Sequence, residues 1–208
     1  SDDAVATVSS AGLVTSVANG SATVTATSGE ASDTTAVTVL QTATSVELSD
    51  TVLSFASLAD ETQLTATVKD ANDSTMSGVT WATSVASVAT VSSAGLVTAV
   101  ADGTATITAT SGSVSATASV TVSQVEASVT LSPTSLSFAS LADTATLVAT
   151  VKDAVGNTMG GATVTWATSN SSFATVSNSG LVTSIGDGDA TITATSGSVN
   201  ATATAVVT

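Results

Sequence analysis

Apolar and polar residues alternate along most of the chain. In the stretch TATITAT from Thr104, the side chains of Ala105, Ile107 and Ala109 would face one side of a strand, and the threonines the other. This period of two is typical of a half-buried antiparallel strand. VTWAT around Trp81 and around Trp166 follows the same pattern. The pattern predicts an all-β fold with no helix.

The strands belong to a long internal repeat. ATVSSAGLVTSVANGSATVTATSG from Ala6 returns in near-identical form from Ala89 and from Ala174, with spacings of 83 and then 85 residues. Glycines recur at fixed positions in each copy, where tight hairpin turns need positive φ. These predicted turn glycines are Gly12, Gly20, Gly95, Gly103, Gly180 and Gly188. Short strands with turns at this spacing indicate a β-sandwich or a small barrel.

The repeat spacing divides the chain into two and a half modules. Repeat 1 (residues 1–41) corresponds to the back half of a domain, repeat 2 covers residues 42–124, and repeat 3 covers residues 125–208. The segments joining them, TVLQTATSVELS and TVSQVEASVTLS, contain no Gly or Pro. Linkers this short leave little room for reorientation, so we expect tandem sandwich domains arranged as a bead-like rod.

The composition narrows the possible partners. The chain has 16 Asp and Glu, two Lys and Arg, and a net charge of −14, so it should repel nucleic acid and anionic membranes. It contains no His or Cys, and no apolar run is long enough to span a bilayer. We therefore expect neither membrane insertion nor a disulfide, and no cofactor.

The motifs resemble one known family. VTWATSVASVATVSSAGLVTAVADGTATITATSG, from Val79 to Gly112, is similar to the bacterial immunoglobulin-like domain, group 2. The resemblance rests on a Trp strand, an A-x-V strand, a G-L-V-T hairpin and a G-T-A-x-I-x-A strand, and it covers essentially the whole chain. It implies tandem immunoglobulin-like β-sandwiches of the kind found on bacterial surface proteins, adhesins and phage virions. It does not imply one activity.

Few residues are candidates for metal binding or catalysis. Asp70 and Asp73, Asp153, and Asp187 and Asp189 lie in turns where carboxylates could bind Ca²⁺, although none matches EF-hand spacing. Turn Asp residues more commonly accept hydrogen bonds from their own backbone, and we expect that role here. A catalytic Ser would need Lys69, Lys152 or a carboxylate as its base, so we predict that the protein is not an enzyme.

The two tryptophans have two possible roles. Trp81 and Trp166 alternate with polar neighbours, which predicts a structural core position between sheets rather than a sugar-stacking platform. Whether a glycan binds is left open. Loops differ most between repeats at residues 71–78 and 154–163, where a ligand site would be expected.

These observations predict an extracellular structural repeat array that forms a stalk or filament of a bacterial surface protein. The alternatives are a phage tail or virion decoration protein, and the stalk of an adhesin whose binding tip lies elsewhere. The predicted partners are neighbouring repeats of a longer chain or further copies through self-association, at the cell surface or, in the alternative, in a virion.

Repeat 1 should present an unusual surface. On its own, a back half would expose one side of a core formed by Val8, Val14, Val24 and Val37. Exposure of that apolar area is unfavourable by about 25 cal/mol per Å². We expect the missing front half to come from the same chain or from another subunit by β-augmentation.

Overall fold

The computed structural model describes residues 2–208, and within this range it contains only strands and their connections. The all-β prediction is confirmed. None of these residues lies in a helix of the length and apolarity needed to cross a bilayer. By their internal contacts the residues form two compact units. The first comprises residues 2–49, 65–80 and 109–116, and the second comprises residues 50–64, 81–108 and 117–208.

Repeat 1 lies in the first unit and forms two antiparallel ladders. Strand β1 (Ala6–Val8) pairs with β2 (Val14–Ser16), and β3 (Gly20–Ser28) pairs with β4 (Ala31–Val39). A small buried cluster of three side chains supports the ladders, with Val37 and Val39 packed against it; its members are Val5, Ala6 and Ala22.

Repeat 2 contributes ten strands: β5 (Ser45–Leu48), β6 (Val52–Phe55), β7 (Glu61–Gln63), β8 (Ala66–Lys69), β9 (Thr75–Met76), β10 (Thr80–Thr83), β11 (Ala89–Val91), β12 (Leu96–Ala99), β13 (Gly103–Ser111) and β14 (Val114–Val122). They form sheets in the orders β10-β13-β14-β6, β11-β12-β7 and β5-β8-β9. Strand β14 pairs with β6 in parallel. The inward positions predicted in β13 are confirmed, because Ala105, Ile107 and Ala109 are buried.

Repeat 3 lies in the second unit and shows the complete sandwich. Its strands are β15 (Ser128–Ser132), β16 (Ser135–Phe138), β17 (Thr144–Thr146), β18 (Val148–Lys152), β19 (Thr165–Thr168), β20 (Ala174–Val176), β21 (Leu181–Ser184), β22 (Gly188–Ser196) and β23 (Val199–Val207). One sheet has the order β16-β23-β22-β19, with β16 and β23 parallel. The other face carries β15-β18 and β17-β21-β20.

The core of repeat 3 joins its front and back halves. A continuous buried cluster contains Leu131, Phe138 and Leu147 from the front half together with Val182 and Ile192 from the back half. Strands β22 and β23 therefore pack against β15 across the sandwich, while β16 and β17 extend the sheets that contain the back-half strands. Two sheets packed face to face in this way form a β-sandwich.

The same face is open in repeat 1. Val14 is 39% exposed, whereas its equivalents Val97 and Val182 are fully buried. Val8 is 46% exposed, and Val24 and Val37 are half-buried. Nearly identical sequences thus differ in burial, because only repeats 2 and 3 contain front-half strands.

Candidate functional site

The candidate calcium ligands do not converge on one site. Asp153 is buried, Asp70 is half-buried, and Asp73, Asp187 and Asp189 are exposed. Across residues 2–208, no group of three or more carboxylates lies close enough together to hold a metal ion. Four of the candidates lie in turns or loops between strands, whereas Asp189, expected in a turn, lies in β22. Asp70 and Asp153 take part in the junctions between repeats.

Asp153 is the centre of the junction between repeats 2 and 3. Asp153 is 2% exposed, and its carboxylate accepts hydrogen bonds from protein groups of both repeats. Leu58 N donates to Oδ2 at 3.1 Å, and Gln124 Nε2 donates to the same oxygen at 3.0 Å. Within its own loop, Asn157 N donates to Oδ1 at 2.8 Å and Val155 N at 3.2 Å. A carboxylate of repeat 3 is therefore held by donors from both repeats.

Three further hydrogen bonds complete this arrangement. Asn157 Nδ2 donates to the carbonyl oxygen of Leu58 at 2.9 Å, and also to Asp153 Oδ2 at 3.2 Å. Asp102 Oδ1 accepts the backbone N–H of Gln124 at 2.8 Å. We call Leu58, Asp102, Gln124, Asp153 and Asn157 the junction clamp. Because the clamp bonds both the N–H and the carbonyl group of Leu58, it fixes the position of this loop of repeat 2 on the Asp153 loop of repeat 3.

The hydrogen bonds of the junction clamp favour the ionised form of the Asp153 carboxyl. Burial raises the pKa of the Asp153 carboxyl, but hydrogen bonds from Gln124, Asn157 and Leu58 outweigh it. The net effect is a pKa well below the ordinary value, because each donor stabilises the charged form. The junction therefore retains a negative carboxylate whose hydrogen-bond partners are supplied by protein groups.

The junction between repeats 1 and 2, within the first unit, has the same bond from a linker Gln to a loop Asp, and an Asn in place of Asp102. Gln41 N donates to Asn19 Oδ1 at 2.6 Å, and Gln41 Nε2 donates to Asp70 Oδ2 at 2.9 Å. Asn72 N and Ser74 N donate to Asp70 Oδ1 at 2.9 and 3.0 Å. The bond from Gln41, followed by those from Ser74 and Asn72, lowers the pKa of Asp70. Gln41, Asp70 and Asn19 stand where Gln124, Asp153 and Asp102 stand 83 residues later.

A polar cavity lies beside each junction. One of about 500 Å³ borders Gln124 and Glu126 and is lined by residues 159 and 161–163, part of the loop predicted to hold any ligand site. Another of about 480 Å³ borders Gln41 and residues 70–72. Glu126 Oε1 accepts a long hydrogen bond from Ser196 Oγ at 3.5 Å. Both cavities are bordered by linker residues and by turn residues, many of which carry polar side chains.

The tryptophans pack at the edge of the sandwich core. Trp166 is half-buried and contacts the buried cluster of repeat 3. A Cβ added at Gly180 would lie 2.8 Å from its Cζ2 atom and against the carbonyl oxygen of Leu147. A Cβ added at Gly95 would likewise lie 2.9 Å from the Cζ2 atom of Trp81. The turn glycine therefore gives the indole ring room to reach the backbone.

The other predicted residues have local roles. A Cβ at Gly20, Gly103 or Gly188 would lie 2.8 to 2.9 Å from the side chain of the residue just before β1, β11 or β20 respectively. Lys69 Nζ forms an ion pair with Asp73 Oδ1 at 3.4 Å, at the surface. Such an exposed i,i+4 pair contributes little to stability.

Leu58, Asp102 and Gln124 of the junction clamp, and Gln41 of the junction between repeats 1 and 2, were not predicted from the sequence. A signal existed, since both linkers carry Gln at the same repeat position and both VKDA segments carry Asp. To pair them, one must know that the linker after one repeat meets the loop that follows β8 or β18 in the next repeat.

One family model matches all three repeats of the chain. The family model of the bacterial Ig-like domain (group 2) matches residues 1–39, 42–122 and 126–207. A search of curated proteins finds no match. Among solved structures, domains 4 and 5 of the S-layer protein SbsC are 25% identical, with 80% of this chain and 98% of that chain covered and a TM-score of 0.40.

Two other structures extend the comparison. The long SbsC fragment 31–844 is 22% identical and covers 98% of this chain, which spans 37% of that fragment, at a TM-score of 0.41. Human protocadherin-24 EC1-2 is 14% identical, with 81% of this chain and 99% of that chain covered and a TM-score of 0.33. At these scores the structural likenesses carry no argument about function, so assignment rests on the family model.

Proposed function

We propose that this chain, which belongs to the bacterial immunoglobulin-like domain (group 2) family, is an extracellular structural array that forms a stalk or filament of a bacterial surface protein. The proposal starts from the tandem Ig-like sandwich architecture of the chain. The observation that carries the proposal is the recurrence of Gln–Asp hydrogen bonds at both junctions. An array whose repeats had no need of defined spacing would not require the same polar contacts twice.

The chemistry of the side chains supports a structural role rather than catalysis. The chain has no His, Cys or Tyr, and its only basic side chains are Lys69 and Lys152. General acid–base and nucleophilic catalysis usually depend on such groups with shifted pKa values. The two carboxyls whose pKa is shifted, Asp70 and Asp153, are shifted downward by junction hydrogen bonds. That direction favours permanent charge and not proton transfer near neutral pH.

We further propose that front-half strands in the same polypeptide cover the open face of repeat 1. The support comes from repeats 2 and 3, where the equivalents of Val14 are fully buried. In repeat 3 the cover is supplied by Leu131, Phe138 and Leu147 of the same chain. Covering strands from another subunit would be the alternative outcome of the extension experiment described in the Discussion.

Electron microscopy tests the array. Immunogold labelling of the producing bacterium should place the chain at the cell surface; label confined to the cytoplasm would contradict the surface assignment. Negative-stain images of the purified chain separate the two forms of the proposal. Concentration-dependent fibres support a filament, and uniformly single particles at all concentrations contradict the filament and leave only the stalk.

A further inference from the structure

Repeat 2 offers one loop to the following repeat. Leu58 donates its N–H to Asp153 and accepts a hydrogen bond from Asn157 at its carbonyl oxygen. The neighbouring Ser57 is 2% exposed. Both backbone groups of a single residue are thus satisfied by the loop of repeat 3 that carries Asp153 and, four residues later, Asn157.

Repeat 3 holds the equivalent loop in the same conformation. Ala59 and Ala142 have φ of 63° and 62°, values uncommon for residues other than glycine. Ala59 N donates to Ala99 O, and Ala142 N donates to Ser184 O, each at 2.9 Å. The loop of repeat 3 is therefore shaped by contacts inside its own repeat, before any following repeat binds it.

This second loop is uncovered. Leu141, the equivalent of Leu58, is 58% exposed, and Ser140 is exposed although its counterpart Ser57 is buried. Asp187 stands at the position of Asp102, which accepts the N–H of Gln124, and its side chain is exposed. The far end of repeat 3 thus presents the equivalents of Leu58 and Asp102, two of the three residues that repeat 2 contributes to the junction clamp.

We propose that residues 140–142 together with Asp187 are a docking surface for a further repeat that bears an Asp-x-x-x-Asn loop, joined in tandem. This inference rests on the proposed array function. In the docked state the Asp carboxylate accepts the Leu141 N–H, and the Asn amide donates to the Leu141 carbonyl. Asp187 caps the N–H of the linker residue that follows the last strand. An interface between two unlike ends can recur from repeat to repeat along an open array.

The Asn in that loop determines which repeats fit. Repeat 2 has Ser74 at the position of Asn157, and its hydroxyl is too short to match the amide that reaches Leu58 O. The surface on repeat 3 therefore favours a repeat of the type of repeat 3 over one of the type of repeat 2. Loop composition, rather than the linker, sets this preference.

The test extends the 208-residue chain with a second copy of residues 124–208, which restores the natural spacing of the linker. Residues 1–208 carry the isotope label, and amide hydrogen exchange is measured by NMR. In the unextended chain the Leu141 amide should exchange at least about ten-fold faster than Leu58, because a hydrogen bond to a charged group is absent. In the extended chain the two should become similar, while Leu58 stays unchanged as the internal reference.

Two variants of the appended copy complete the design. Asp153→Ala there should return Leu141 to fast exchange. Asn157→Ser, which places in that copy the residue repeat 2 already carries, should lose part of the protection with little risk to folding. Fast Leu141 exchange in the extended chain, or protection that survives both variants, would overturn the proposal. Protection that rises with concentration in the unextended chain would assign the surface to a second copy instead. None of these results depends on where the bacterium places the protein.

Discussion

The turn glycine before β2, β12 and β21 allows a comparison of one substitution in three surroundings. Gly12, Gly95 and Gly180 have φ of +82°, +85° and +79°, so alanine is strained equally at each. At Gly180 the new Cβ would also lie 2.8 Å from Trp166 Cζ2 and against the backbone of Leu147. At Gly12 nothing lies within 4 Å.

These surroundings predict different costs. The left-handed backbone conformation costs an alanine about 1–2 kcal/mol at every position. Displacing a packed ring and a backbone carbonyl adds about 1–3 kcal/mol at Gly95 and Gly180. Gly180→Ala should therefore reduce the free energy of unfolding of its repeat by about 2–5 kcal/mol, and Gly12→Ala by about 1–2 kcal/mol. A domain whose total stability is about 5–15 kcal/mol would be visibly weakened by the first change alone.

A urea titration followed through amide NMR signals of each repeat measures these costs separately. Equal losses for Gly12→Ala and Gly180→Ala would refute the contact with Trp166 and Leu147 as the source of the difference. The experiment then continues with a copy of residues 42–83 placed directly before residue 1. If front-half strands in the same chain cover repeat 1, the cost of Gly12→Ala should rise to that of Gly95→Ala. An unchanged cost would contradict that proposal and favour cover from another subunit.

Three further predictions concern the core and the clamp. Val182→Ala should lower the stability of repeat 3 by about 2–3 kcal/mol because it leaves a cavity, whereas Val14→Ala, at an exposed position, should cost below about 1 kcal/mol in the same urea titration. Asp153 should stay ionised at pH values well below the ordinary pKa of an Asp, since its folded pKa is lowered. The stability it contributes is complete above its ordinary pKa and is lost as pH falls toward the folded value, and a ¹³Cγ shift that titrates at the ordinary value would contradict this. Gln124→Ala should raise the pKa of Asp153 in the same NMR titration, and no change would show that the 3.0 Å contact from Gln124 Nε2 contributes nothing.

Features set by neighbouring residues could be predicted from the sequence. Alternation in β13 placed Ala105, Ile107 and Ala109 inward, and all three are buried. Gly12, Gly95 and Gly180 all have the positive φ expected of tight turns. Both properties depend on a few consecutive residues, so a single strand or turn contains the information needed.

Features set by distant residues could not be predicted. Leu58 and Asp153 are 95 residues apart, and nothing near either one indicates the other as its partner. Alternation likewise places Trp166 on the inward face but does not show that the ring sits over a glycine at the edge of the core and stays half-buried. Asp153 was considered as a metal ligand because an isolated sequence shows a carboxylate and not the five donors that surround it.

The two differences between repeat 1 and its later copies have one physical origin. Val14 is exposed where Val182 is buried, because repeat 1 has no front-half strands beside it. Asp70 has no counterpart of the Leu58 N–H, because that donor belongs to the loop after the first strands of the preceding repeat. Front-half strands added before residue 1 would supply the apolar cover and the backbone donor together. Burial of Val14 and a backbone N–H donated to Asp70 by the added strands, beside the bond it already accepts from Gln41, should therefore appear jointly in the extended chain. One without the other would mean that the two repeats do not share a geometry.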